Sequence, residues 1–129
     1  MNKRRVDDLL PAAVDTLKNC KIVNEKNEIN KNFRGQISSF GAAVASGSLL
    51  AAAAFFNQQG GAKSDRGKLM DAINGLLKSK LGYQTGETLF NTIRNIPQAK
   101  QRRLKEDVLA CAVALKLAMN LYTLKSDAN

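Results

Sequence analysis

Apolar residues recur every three to four positions along almost the whole chain, and nowhere do they alternate. Val6, Leu9, Leu10, Ala13, Val14 and Leu17 fall on one face of a first helix. Phe33, Ile37, Phe40 and Val44 mark a second, ended near Ser46 and Gly47, and Leu49, Leu50, Ala53 and Phe55 or Phe56 a third. Leu69, Ala72, Ile73, Leu76 and Leu77 give a fourth stripe, and Leu89, Phe90 and Ile93 a short fifth. The most regular is the last, with Leu104, Val108, Cys111, Ala112, Leu115, Met119 and Tyr122. No window has the period-two pattern of a strand, and no repeat of fixed period appears. The spacing predicts an all-α protein, a single compact bundle of about six helices forming one domain over residues 1–129.

Punctuation residues place the boundaries. Pro11 inside the first pattern moves the expected regular start to Asp7 or Asp8, either of which could cap it. The Asn- and Lys-rich stretch 24–32 reads as a loop, as does 58–63. Ser64 or Asp65 is the expected cap of the fourth helix, Leu81-Gly82 its end, and Thr85 the opening of the fifth. Pro97 suits the first turn of the sixth. Ala51 to Ala54 permit close helix approach, so the third helix is expected to be central and buried, with an exposed protein-binding face as the alternative.

Chemistry is constrained by what is missing. The 129 residues include no His and no Trp, which excludes imidazole bases, His-dependent triads and His-ligated zinc. Cys20 and Cys111 cannot supply a four-ligand metal site, and Cys111 on an apolar stripe reads as a structural thiol. Asp7-Asp8 and Glu106-Asp107 are explained by helix ends and by Arg102 and Arg103 four residues earlier. Gly60-Gly61-Ala62-Lys63-Ser64 lacks phosphate-loop spacing. No enzyme and no cofactor are expected, and a carboxylate–metal nuclease is the least favoured reading. No secretory leader pattern is visible at the start, and the longest apolar run, Leu49 to Phe56, is eight residues, so a cytoplasmic protein with no membrane partner is expected.

Charge is what remains. The chain carries +9, and residues 63–105 hold ten Lys/Arg against three acids. Arg34, Lys63, Arg66, Arg94, Lys100 and Lys105 have no acid three or four positions away, which makes them the candidates to meet phosphates. The scarcity of aromatics argues for contact with a nucleic-acid backbone rather than with bases.

Phe33-Arg34-Gly35-Gln36-Ile37-Ser38-Ser39-Phe40-Gly41, Gly47-Ser48-Leu49-Leu50, Ala54-Phe55-Phe56 and Ser64-Asp65-Arg66-Gly67-Lys68-Leu69-Met70 together resemble the small α-helical subunit of the type III-B CRISPR effector, the Cmr complex. The final helix, from Arg103 to Leu124, is similar to that family's last helix, although the tryptophans common there are absent. The resemblance implies a non-catalytic subunit in antiviral defence, stacked as a minor filament beside backbone subunits. Its partners would be those subunits, the large subunit, further copies of itself, CRISPR RNA and target RNA. Lys68 joins the RNA-binding candidates for its place in the matching segment. The alternative is a free-standing basic helical protein that binds DNA or RNA without sequence preference.

Overall fold

The computed structural model describes residues 3–57 and 64–125. Helix α1 spans Lys3–Asn19 and buries Val6, Leu9, Ala13 and Leu17. It starts a turn earlier than expected and carries Pro11 within it. Pro11 lies on the exposed face, where the carbonyl it leaves unpaired can turn to water, while Val6 and Leu9 hold the inner face in the core. Asp7 and Asp8 are therefore exposed residues inside the helix rather than caps.

The polar stretch after α1 is more ordered than a loop. The Asn24 carboxamide oxygen accepts from the Lys26 and Glu28 amides, both at 2.9 Å. That turn feeds strand β1, Glu28–Asn30, and Asn30 then caps α2, Lys31–Ser46, by accepting from the Asn32 amide. Strand β1 pairs in parallel with β2, Thr123–Lys125, with Ile29 opposite Leu124. Three residues per strand, with one buried side chain between them, are too few to show alternation in a sequence.

Helix α3, Leu49–Phe56, follows a two-residue turn and is capped by Ser48. It buries Leu49, Ala52, Ala53 and Phe56, but Leu50 and Phe55 are 38% and 57% exposed. This corrects the expectation of a central third helix. The centre belongs to α4, Ser64–Ser79, which packs against α1, α2 and α3 and against the two helices that follow it. Leu69, Met70, Ala72, Ile73, Leu76 and Leu77 on α4 are all buried.

Helix α4 is closed off as expected by Leu81-Gly82, just past its last residue, Ser79. Gly82 takes φ +74°, and the Tyr83 amide reaches back to the Leu77 carbonyl at 3.0 Å. Helix α5, Leu89–Asn95, is capped by Thr88 and not by Thr85, which lies in the connector. A buried polar cluster fixes that connector. Thr92 Oγ1 donates to Asn74 Oδ1 at 2.7 Å and accepts from the Gly86 amide at 2.9 Å, while Asn74 Nδ2 donates to the Gly86 carbonyl at 3.1 Å. Pro97 precedes a single 3-10 turn, Gln98–Lys100, which runs into α6, Gln101–Met119. Tyr122 lies just past α6 and donates to the Val14 carbonyl at 3.2 Å.

Helices α1 and α6 share the most extensive packing, and α2 and α4 complete the layer around α6. Across the described residues the buried apolar side chains form one continuous cluster.

Candidate nucleic-acid interface

A groove of about 560 Å³ opens where the start of α3, the end of α5 and the start of α6 meet. Arg94 enters it from the last turn of α5, and Arg102 and Lys105 from the first two turns of α6. Arg102 and Lys105 are three residues apart, so they project from one side of the helix. Lys105 Nζ also lies 3.5 Å from the Gly47 carbonyl, which ties the α6 wall to the α2–α3 turn. Leu49, Leu50, Ile93 and Ile96 supply the apolar surface, and Ser48, Gln98 and Gln101 the neutral polar one. No carboxylate is among the described residues that line it. Three cations around one concavity, without an acid to neutralise them, raise the local concentration of polyanions.

Two interactions hold these walls in place. Gln101 Nε2 donates to the Ile93 and Ile96 carbonyls, at 2.9 Å each, so a side chain of α6 satisfies the end of α5. Deeper in α6, Asp107 is 3% exposed and accepts from the hydroxyl of Tyr83. It also pairs with Arg5 of α1, and with Arg103 at 3.7 Å. Of the five cations in 94–105, Arg103 is thus turned to an acid in the protein interior. Arg102 makes no ion pair with Glu106 or with any other described carboxylate.

The expected RNA-binding residues divide between places. Arg94 and Lys105 come together in the groove, and Lys100 lines an adjoining cleft that shares Ile96 with it. Arg66 sits at the start of α4. Its Nε donates to Gln36 Oε1 at 2.8 Å, and its guanidinium lies 5.2 Å from the ring centroids of both Phe55 and Phe56. Lys68, two residues on from Arg66, has its Nζ 3.5 Å from the Lys21 carbonyl. Arg34 is half-buried on α2, and Lys63 lies outside the described residues.

Arg102 is the residue that sequence reasoning passed over, because Glu106 stands four positions on. A signal was present: a cation placed before an acid at this spacing is the weaker order for a helix pair. The exposure of Leu50 carried no comparable signal, since an apolar residue in an apolar run says nothing of which side faces water.

The two thiols are shielded unequally, Cys111 fully and Cys20 in part. Cys111 is buried, and burial pushes its thiol up to about 12, with Arg5 opposing in part. Cys20 is raised as well, by burial and then by Asp71. Both cysteines are free thiols. Among the described residues no group of three His, Cys, Asp or Glu could hold a metal ion, and no helix is long and apolar enough to cross a membrane.

The model of the CRISPR-associated protein family Cas_Cmr5 matches residues 11–119. The chain belongs to this family. No curated protein and no solved structure matches it. The Cas_Cmr5 match runs from Pro11 within α1 to Met119 at the end of α6, so every residue of the basic groove falls inside it. Membership agrees with the resemblance seen in the sequence and associates the chain with CRISPR Cmr complexes, and so with their other subunits.

Proposed function

We propose that this Cas_Cmr5 protein is a non-catalytic small subunit of a type III-B ribonucleoprotein effector. It stacks in copies as a minor filament beside the backbone subunits and contacts guide or target RNA through the phosphate backbone. Its setting is cytoplasmic antiviral defence. The carrying observation is the groove in which Arg94, Arg102 and Lys105 converge without a carboxylate. Phosphate contacts hold a strand in register without reading its sequence, and in an RNA-guided complex base pairing does the reading.

The test is reconstitution of the effector with wild-type chain or with the Arg94→Gln, Arg102→Gln, Lys105→Gln variant, followed by target-RNA association at several salt concentrations. Each lost contact to a single strand should reduce the log–log salt slope by about 0.7, so the triple change should reduce it by about 2. An unchanged slope in a fully assembled complex would overturn the RNA assignment. Recovery of the wild-type chain from its host without CRISPR RNA or larger subunits would point to the free-standing binder instead.

A further inference from the structure

The basic groove has more to it than phosphate contacts require. Leu50 stands 38% exposed on its wall, beside half-buried Ile96. A phosphate ridge of a regular duplex would satisfy the three cations and leave that apolar surface facing water. The groove, about 560 Å³ and open to solvent, has the volume to seat one nucleotide without enclosing it. We propose that the groove takes an unpaired nucleotide of single-stranded RNA, with its phosphates on Arg94, Arg102 and Lys105 and its base on the Leu50–Ile96 surface.

The proposal rests on the RNA-contact reading above and adds the strandedness of what is bound. A base has an apolar face whatever its identity, so an aliphatic platform accepts any of the four without reading sequence. Gln98 at the rim is the neutral polar side chain that can meet a ribose hydroxyl or a base edge. The platform is rigid: Ile96 is fixed through its carbonyl to Gln101, and α3 is anchored beneath by buried Leu49 and Ala53. Charge complementarity selects a polyanion, and the apolar floor selects one with an exposed, unstacked ring. Poly-glutamate, an acidic chain without apolar side chains, offers the first and lacks the second.

The experiment is fluorescence anisotropy on the full chain at low salt, with a short single-stranded RNA, the same strand carrying abasic positions, its blunt duplex, and poly-glutamate as competitor. The intact single strand is expected to bind tightest. Leu50→Ser should weaken it about fivefold, through loss of part of a leucine's buried surface, and leave the duplex unchanged. Leu50→Phe should tighten the single strand, which guards against a loss caused by misfolding. Equal binding of intact, abasic and duplex RNA, with Leu50→Ser neutral and the cation triple variant weakened, would overturn this inference and leave the proposed function standing. RNA affinities that the triple variant leaves unchanged would overturn both. Poly-glutamate binding tighter than any RNA would assign the groove to an acidic protein segment instead.

Discussion

Asp107 is a buried carboxylate reached from three parts of the chain: Arg5 from α1, Tyr83 from the connector and Arg103 from its own helix. Asp107→Asn keeps the shape and an acceptor for Tyr83 but strips the charge that Arg5 faces. It should lower stability by about 2–4 kcal/mol in urea unfolding, and Arg5→Met should recover part of that loss in the double variant. Thr92→Val would leave Asn74 Oδ1 and the Gly86 amide without their partner, at a cost of about 2–3 kcal/mol by the same measurement. Cys111 predicts a pH dependence. The folded state holds the thiol protonated up to about 12, whereas an unfolded thiol ionises near 9.0. The associated stability is therefore complete below the lower value and is lost as pH climbs toward the upper one, on the order of 4 kcal/mol in all. Tyr83, raised chiefly by burial with Arg103 and Arg5 opposing, acts in the same alkaline direction. Thermal melts of Cys111→Ala should show a flatter alkaline limb than wild type, whatever small loss the missing sulfur causes at neutral pH.

At the level of elements, two glycines separate conformational from steric demand. Gly82 adopts φ +74° with open space around it, so Gly82→Ala should cost about 1 kcal/mol from backbone strain alone. A Cβ on Gly86 would sit 2.8 Å from the Asn91 Cβ and force the connector away from Asn74 and Thr92. Gly86→Ala should be the more damaging, by about 2–4 kcal/mol in total, and the reverse ranking in urea midpoints would refute this account. Helices α2, α4 and α6 were legible because their apolar spacing coincides with what they bury, as at Phe33, Ile37, Phe40 and Val44. The start of α1 was not, because Pro11 weighs heavily in a sequence and lightly on a wet face. Thr88 and Thr85 are equal as caps until Leu89 is seen to enter the core. The parallel pairing of β1 with β2 joins segments separated by α2 to α6, and local sequence carries no mark of it.

Taken as a whole, the molecule concentrates cation at a place no single segment defines. Arg94 and Lys105 could be nominated from the absence of nearby acids, but that they share a groove with Arg102 and Leu50 follows from how α3, α5 and α6 meet. Moving all three cations to Gln takes the formal charge from +9 to +6, yet the expected effect on RNA association exceeds that of removing Lys78, Lys80 and Lys116 by the same arithmetic, because those three are not gathered in one concavity. Salt titration of the two triple variants side by side measures the difference, and equal slopes would refute the focusing effect. The dominant packing of α1 on α6 also bears on biosynthesis. Val6, Leu9 and Ala13 must wait for α6 to be synthesised, an interval of about 5–20 s for roughly 100 intervening residues at ordinary translation rates. Through that interval only α4, already made, can shield part of this oily face, which makes the helix a natural client for the chaperones that stand at the ribosome exit.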